Sequence, residues 1–214
     1  MDAAQGVTEQ KRQLRRRLLA DRRARSFSDR RLAQSLIEKW LLAELTDQIT
    51  VCGYLPLPSE PLALATLERL IGKGMKILLP VVTGAAPLDW AEFVPGGATV
   101  TGVGGMTEPA GARLGSSAAG AADVILVPAL AVDPGGWRLG RGGGHYDRTL
   151  GLLHSLGFRP QLIAVLYDGE VLPQIPRDGF DVPVDGVVTP TGGIAKLGRT
   201  ATHVAPDATG VDHR

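Results

Sequence analysis

A segment rich in glycine and arginine, residues 139–148, carries the side chains best suited to chemistry. It reads Leu-Gly-Arg-Gly-Gly-Gly-His-Tyr-Asp-Arg and leads into a predicted helix. Glycines let backbone N–H groups approach an anion closely, and the N-terminus of a helix adds positive potential. Arg138 and Arg141 can each donate two hydrogen bonds to phosphate oxygens, and Asp147 can hold Mg²⁺ beside them. The pattern predicts a phosphate-binding loop for a nucleotide with Mg²⁺.

The spacing of these residues excludes two common phosphate-binding motifs. A Walker A loop is excluded because no Gly-Lys-Ser or Gly-Lys-Thr follows the glycines. The dinucleotide fingerprint is excluded because Gly140, Gly142 and Gly144 lack its third spacing and do not follow the first strand. The remaining alternative is a glycine-rich hairpin with surface arginines. Two arginines, four glycines and one aspartate within residues 138–147, after a predicted core strand, argue against it.

The N-terminal residues 1–31 form a basic arm with ten basic and four acidic residues, a net charge of +6. The rest of the chain has 13 basic and 18 acidic residues, a net charge of −5. Lys11 and Arg15 are four residues apart and share one face of a predicted helix. The asymmetry indicates a phosphorylated small molecule or nucleic acid as partner, unless the arm is only a solvated helix face. Nucleic acid is disfavoured because only 5% of the residues are aromatic and the whole chain carries +1.

The hydrophobic pattern predicts the elements that must position these residues. Helices are predicted over 8–24, 29–45 (with Ser28 as N-cap), 61–73 and 145–156. Strands are predicted over 49–55, 76–82, 88–93 (antiparallel), 123–127, 161–167 and 187–188. Little regular structure is expected in 95–122 and 128–144. Because strand, helix and strand follow one another with short joints, we predict an α/β fold. It is a single domain with a mostly parallel central sheet flanked by helices, preceded by the basic N-terminal helical arm.

Length, cysteine usage and hydropathy exclude several classes of protein. A chain of 214 residues suffices for one domain with its own core, predicted over 1–190 with a flexible tail over 191–214. The single cysteine, Cys52, excludes a disulfide framework and a cysteine-based zinc site. Its apolar neighbours predict that it is buried. No apolar run of 18 residues or N-terminal signal segment is present, so we expect a cytoplasmic protein without membrane partners.

The glycine loop resembles the signature of the 5-formyltetrahydrofolate cyclo-ligase (5,10-methenyltetrahydrofolate synthetase) family. The family form is Leu-Gly-Arg-Gly-x-Gly-Tyr-Tyr-Asp. Other landmarks of the family occur in the same order along this chain, and the resemblance covers residues 9–190. These landmarks are Lys11-Arg12-Gln13-Leu14-Arg15, Leu55-Pro56 with Glu60, Leu79-Pro80, Thr107-Glu108-Pro109 and Asp181-Val182-Pro183-Val184-Asp185.

The resemblance implies the conversion of 5-formyltetrahydrofolate to 5,10-methenyltetrahydrofolate, with ATP as co-substrate, Mg²⁺ as cofactor, and release of ADP and phosphate. The γ-phosphoryl group would move to the formyl oxygen, and N10 would then close the ring. Such a transfer needs positioning and charge neutralisation more than a protein nucleophile, which suits the cations present. Lys11, Arg15 and Arg141 are implied to be catalytic. ATP would be bound by Lys11, Arg12, Arg15, Arg138, Leu139, Gly140, Arg141, Gly142, Gly143, Gly144 and Tyr146.

The resemblance assigns further residues to the other ligands. Leu55, Glu60 and His145 would contact the folate, with Glu60 accepting or donating hydrogen bonds at the pterin ring. Asp147 and Asp181 would hold Mg²⁺. Two structural alternatives are open, since Asp181 can cap a turn and Glu60 can cap the following helix.

His145 departs from the family, which has tyrosine as the first residue of its Tyr-Tyr-Asp. Histidine keeps a planar ring and a hydrogen-bonding edge, but it titrates near neutral pH.

Two other functions are open. One is a catalytically silent paralogue that acts as a nucleic-acid-binding or regulatory protein, and the other is an ATP-dependent ligase of the same fold that acts on another amide. The first is disfavoured because Lys11, Arg141, Asp147 and Asp181 are all present. We expect a monomer that binds small molecules and no nucleic acid.

Overall fold

The computed structural model describes residues 3–105 and 107–198. Its helices are α1 (Ala3–Ala24), α2 (Phe27–Glu44), α3 (Leu64–Gly72) and α4 (His145–Ser155). All four predicted helices are therefore confirmed. The predicted N-cap of the second helix is wrong, because Ser26 and not Ser28 accepts the hydrogen bond from the Asp29 amide, at 3.1 Å. The helix thus begins at Phe27. The Phe27 ring is exposed and does not belong to the apolar face of the helix, so the hydrophobic pattern did not mark this boundary.

The described residues contain the strands β1 (Thr50–Cys52), β2 (Lys76–Val81), β3 (Asp89–Glu92), β4 (Thr99–Thr101), β5 (Thr107–Pro109), β6 (Val124–Pro128), β7 (Ala131–Val132), β8 (Arg138–Leu139), β9 (Gln161–Val165), β10 (Gly186–Thr189) and β11 (Gly193–Lys196). A seven-stranded sheet forms the centre of this part of the chain, and its strand order is β11-β10-β9-β6-β1-β2-β3. Its five inner strands are mutually parallel, and only the edge strands β3 and β11 are antiparallel to their neighbours. The prediction of a mostly parallel sheet with an antiparallel strand near 88–93 is confirmed.

Helices cover both faces of the sheet, because alternate residues of the buried strands point to opposite sides. Ile77 and Leu126 pack on the side of α2 and α3, together with Ile37, Leu41, Leu67 and Leu70. Leu78 and Ile125 pack on the opposite side with Leu150 and Leu153 of α4. Cys52 is fully buried on this second side, as predicted.

Three segments predicted to be irregular contain short strands. Residues 95–122 hold the β4–β5 ribbon and two short 3₁₀ turns, and residues 128–144 hold the β7–β8 pair. All three residues of β4 are exposed, and β7 and β8 have two residues each, so neither shows hydrophobic alternation. Residues 193–196 form β11 on the edge of the sheet, so the predicted tail does not begin at 191. Residues 199–214 of that tail lie outside the described part of the chain.

The direction of the parallel strands decides where the loops meet. The strands β1, β6 and β9 all end at the same edge of the sheet. The segments that follow them carry Glu60, the glycine loop and Glu170, respectively. In open α/β sheets, ligands bind outside the carboxyl ends of the strands, and these loops form such an edge.

Candidate active site

The basic helix α1 lies against the loops at this edge through one face. The Nζ atom of Lys11 is 2.8 Å from Oδ2 of Asp178 and 2.5 Å from Oδ2 of Asp181. One turn further along, Nε of Arg15 donates a hydrogen bond of 2.9 Å to the carbonyl oxygen of Gly140. The predicted shared face of the helix therefore brings Arg15 to the glycine loop and Lys11 to the segment that contains Asp178 and Asp181.

The glycine loop adopts a conformation that other residues rarely take. Gly142 and Gly144 have φ angles of +106° and +67°, in the region where a side chain is disfavoured. The guanidinium carbon of Arg15 lies 3.6 Å from the position that a Cβ atom on Gly142 would occupy. Gly144 immediately precedes α4, so the loop ends at the N-terminus of a helix of 11 residues. The chain therefore presents backbone, the guanidinium group of Arg15 and a helix N-terminus together.

Arg138 lies beneath the loop, where its side chain is almost completely buried. Its Nη2 is 2.9 Å from Oδ1 of Asp147, and its Nη1 donates a 2.6 Å hydrogen bond to the carbonyl oxygen of Val182. Among the described residues, its Nε has no hydrogen-bond partner. These contacts tie the start of α4 to the segment that contains Asp181. A role of Arg138 in binding ATP stays a prediction.

Asp147 and Asp181 fit a magnesium ion that is held mainly by phosphate oxygens. In the described part of the chain, the hydrogen bonds to Asp147 end on Oδ1 and those to Asp181 end on Oδ2. The second oxygen of each carboxylate would be the one to bind a cation. No group of three or more potential metal ligands exists in residues 3–105 and 107–198. Such a site suits Mg²⁺, which takes one or two carboxylates and keeps phosphates and water as its other ligands.

Glu60 is buried and lies next to Arg141 of the loop. Its Oε2 accepts a 2.9 Å hydrogen bond from the Leu57 amide, and its Oε1 is 3.7 Å from Nη1 of Arg141. Burial raises the pKa of the Glu60 carboxyl, and the Leu57 amide and the charge of Arg141 partly offset this effect. The predicted folate ligand and the predicted phosphate ligand are therefore neighbours. Leu57, whose amide donates to Glu60, precedes α3 in the chain. Glu60 therefore does not cap that helix.

His145 and Tyr146 begin α4 and have different surroundings. Nδ1 of His145 is 3.1 Å from Nη2 of Arg148. Partial burial and the charge of Arg148 lower the pKa of the imidazole below its usual 6.5. The Tyr146 ring packs against the core, and its buried hydroxyl makes no hydrogen bond within the described residues. Burial raises the pKa of that phenol, so Tyr146 offers a neutral hydroxyl.

The structure separates two predicted ligands from this group. Arg12 lies on the exposed side of α1, where its Nε is 2.7 Å from Oε2 of Glu9. Leu139 is buried in a cluster with Leu18 of α1 and does not reach the loop surface. Neither contact places these side chains with Lys11 and Arg15, and their assignment to ATP stays a prediction.

Leu55 borders a separate cavity of about 220 Å³ between the sheet and the β4–β5 ribbon. Its other walls include Leu79, Phe93, Thr99 and Pro109. Sites for whole drug-sized ligands enclose about 300–1,000 Å³, so this cavity suits part of a larger ligand.

Comparison with known proteins identifies the family of this chain. A sequence model described as the 5-formyltetrahydrofolate cyclo-ligase family matches residues 7–190. The chain belongs to this family. A cyclo-ligase from Mycolicibacterium smegmatis is 42% identical over 192 residues, which cover 87% of this chain and 97% of that protein. The resemblance of the sequence to the cyclo-ligases is confirmed, and the chain is an enzyme of this type.

Solved structures agree with this assignment. The 5,10-methenyltetrahydrofolate synthetase from Aquifex aeolicus has a TM-score of 0.71 and 29% sequence identity, over 91% of this chain and 97% of its own. A synthetase from Mycoplasma pneumoniae has a TM-score of 0.65 over 83% of this chain and 96% of its own. At 22% identity it shows the fold alone. Among the described helices of the chain, none is both long and apolar enough to cross a membrane.

Sequence reasoning missed several residues that contact this site. Asp178 shares Lys11 with Asp181, and Glu170 holds Arg22 of α1. A signal for Arg22 was present, because it lies seven residues after Arg15 and therefore on the same helix face. The sequence offers no comparable signal for Asp178 or Glu170, since both lie in irregular loops.

Proposed function

We propose that this cyclo-ligase converts 5-formyltetrahydrofolate and ATP to 5,10-methenyltetrahydrofolate, ADP and phosphate, with Mg²⁺, and that it acts as a monomer. One observation carries the proposal: the predicted phosphate ligand Arg141 lies 3.7 Å from the buried predicted folate ligand Glu60. An enzyme that joins a phosphoryl group to a folate oxygen must hold both substrates at one point, because proximity supplies much of the rate.

The reaction proceeds in two steps that need no protein nucleophile. The formyl oxygen attacks the γ-phosphorus, and the bond between that phosphorus and the ADP oxygen breaks. The nitrogen N10 then attacks the activated formyl carbon and loses its proton. The carbon–oxygen bond breaks last, and phosphate leaves with the former formyl oxygen. The methenyl bridge thus joins N5 and N10, and no electrons are exchanged with a redox partner.

The residues of the loop supply positive charge where phosphoryl transfer needs it. Arg141 belongs to the loop and Arg15 contacts it at Gly140, so both would neutralise charge on the phosphate oxygens. Lys11 would turn from its aspartates to the same phosphates. Asp147 and Asp181 would hold Mg²⁺, which neutralises charge on the β- and γ-phosphates when bound. The cations and backbone amides would position the triphosphate in line with the formyl oxygen.

Glu60 would orient the pterin ring. Its carboxyl group is buried and would exchange hydrogen bonds with the ring nitrogens, because a buried polar group needs hydrogen-bond partners. The cavity beside Leu55 would take an apolar part of the folate beyond that ring. Both assignments rest on the family resemblance together with the burial of Glu60.

The test is direct. Purified protein is mixed with 5-formyltetrahydrofolate and Mg-ATP, and methenyl absorbance and ADP are measured together. We expect both products in equal amounts. ADP without methenyl product would favour a ligase that acts on another amide, and neither product from folded protein would favour the silent paralogue.

A pair of variants tests the phosphate assignment. Arg15→Ala should raise the KM for ATP about 10- to 150-fold, because a hydrogen bond to a charged group contributes about 1.5–3 kcal/mol. Arg16→Ala is the matched control, since Arg16 is exposed on the same helix, and its KM should change little. Equal KM values for the two variants would contradict the assignment.

A further inference from the structure

One face of α1 makes the ion pairs and hydrogen bonds that are described between this helix and the loops. Lys11, Arg15, Leu18 and Arg22 are separated by four, three and four residues, so they lie in one row along the helix. Leu18, in the middle of the row, is buried in an apolar cluster with Leu130, Leu139 and Ile175. The two cations assigned to ATP thus occupy one end of the row, and Arg22 occupies the other.

Arg22 is buried and makes an ion pair with two parallel hydrogen bonds. Its Nε and Nη2 donate to Oε1 and Oε2 of Glu170 at 2.8 and 2.7 Å. The same Nη2 donates to the carbonyl oxygen of Ala129 at 2.6 Å. Ala129 follows β6 directly, at the start of the segment that becomes the glycine loop. Both ends of this segment therefore touch α1, through Arg22 at Ala129 and through Arg15 at Gly140.

Glu170 extends the cluster to the folate side of the site. Its Oε2 also accepts a 2.8 Å hydrogen bond from the Tyr167 amide. The Tyr167 ring lies 4.2 Å from the guanidinium carbon of Arg25, and its hydroxyl donates to the carbonyl oxygen of Ser59 at 3.3 Å. Ser59 immediately precedes Glu60. The cluster of Arg22, Glu170 and Tyr167 thus connects α1 with the loops that follow β1, β6 and β9.

Stability alone does not explain a buried ion pair at this position. Two charges lose their hydration on burial, and apolar residues of similar size often stabilise a core as well or better. A planar guanidinium held by both carboxylate oxygens does fix direction and distance. If α1 slipped by one turn, about 5.4 Å along its axis, Arg15 would leave the glycine loop and Lys11 would leave Asp178 and Asp181. The pair is therefore suited to fixing the register of the helix.

We propose that Arg22 and Glu170 are positioning residues for ATP: they set the register and rotation of α1, so that Lys11 and Arg15 meet the phosphates. This inference rests on the proposed function. Neither residue touches the substrates, and both act through the helix.

The variant Arg22→Lys keeps the charge but cannot donate to both carboxylate oxygens and to Ala129 in the same geometry. We expect its KM for ATP to rise about tenfold, equal to about 1.4 kcal/mol, while kcat at saturating ATP stays within about twofold of the wild type. A merely structural role would show the opposite pattern, because partial unfolding lowers the active fraction and leaves KM unchanged. Arg23→Lys is the matched control, since Arg23 is the exposed next residue of the same helix.

Glu170→Gln tests the partner and keeps its shape. We expect a similar rise in the KM for ATP, and the double variant Arg22→Lys/Glu170→Gln should be no worse than the poorer single variant, since paired residues act as a unit. ATP binding measured by calorimetry without folate should weaken in parallel. The inference would be overturned if folded Arg22→Lys and folded Glu170→Gln had the same KM for ATP as Arg23→Lys. Inactive wild-type protein would instead refute the proposed function.

Discussion

Replacing Asp178 by asparagine is expected to lower the KM for ATP, whereas the same change at Asp181 is expected to raise it. Both carboxylates hold the ammonium group of Lys11, at 2.8 and 2.5 Å. In the proposed reaction, Lys11 turns to the phosphates and Asp181 turns to Mg²⁺. Asp178 has no second role of this kind, so it only competes with ATP for Lys11.

The size of the effect follows from the exposure of the pair. The Asp178 side chain is 48% exposed, against 14% for Asp181. An ion pair with an exposed partner contributes about 0.2–1 kcal/mol. Because 1.4 kcal/mol corresponds to a factor of about ten, Asp178→Asn should lower the KM for ATP about 1.5- to 5-fold. In the wild type, the Phe180 amide donates a hydrogen bond of 3.1 Å to Oδ1 of Asp178. Asparagine keeps an oxygen that can accept this hydrogen bond.

The same variant should be less stable at neutral pH, which separates the two effects. The hydrogen bond from Lys11 lowers the pKa of Asp178 below its usual 3.8. Stability from a carboxyl with a lowered pKa is present above its usual pKa and is lost as the pH falls through the folded-state value. The difference in unfolding free energy between wild type and Asp178→Asn should therefore shrink below pH 3.8.

The assay measures initial rates against ATP at a constant excess of Mg²⁺, with unfolding followed separately. Asp47→Asn is the matched control, because Asp47 forms an exposed pair with Lys73 at 3.3 Å on another part of the surface. Its KM for ATP should equal that of the wild type. A higher KM in Asp178→Asn would refute the reasoning, since it would make Asp178 a contributor to ATP binding.

Two further predictions concern backbone strain and pH. Gly136→Ala should lower the unfolding free energy by about 1–3 kcal/mol, because Gly136 has φ +85° and its Cβ would meet the Val184 carbonyl oxygen. Gly151→Ala in α4, where the space for a Cβ atom is open, should raise the unfolding free energy. Equal changes in the unfolding free energy of the two variants, measured by chemical denaturation, would contradict the argument. Since the pKa of His145 is lowered, kcat/KM for folate should fall only below pH 6.5 as the ring protonates, and His145→Tyr should lose this dependence. Parallel pH profiles would remove His145 from the site.

The local pattern of the sequence was sufficient for the main elements and for the family. The helices α2 and α4 carry apolar residues at helical spacing, because one face of each packs on the sheet. The strands β2 and β6 are continuous apolar runs, because both of their faces are buried. The glycine loop was recognisable because its positive φ angles and close contacts restrict the residue type. The β4–β5 ribbon was not predictable, because an exposed strand of three residues has no apolar pattern.

The partners of the charged side chains were decided by the tertiary structure alone. Lys11 was assigned to phosphate from the sequence, but its present partner Asp178 lies 167 residues away. Arg22 meets Glu170 across 148 residues. These pairs form because parallel strands carry their loops to one edge of the sheet and α1 lies across that edge. Neighbours along the chain specify helices, strands and tight turns, whereas the distance between residues far apart in sequence depends on how every element between them packs.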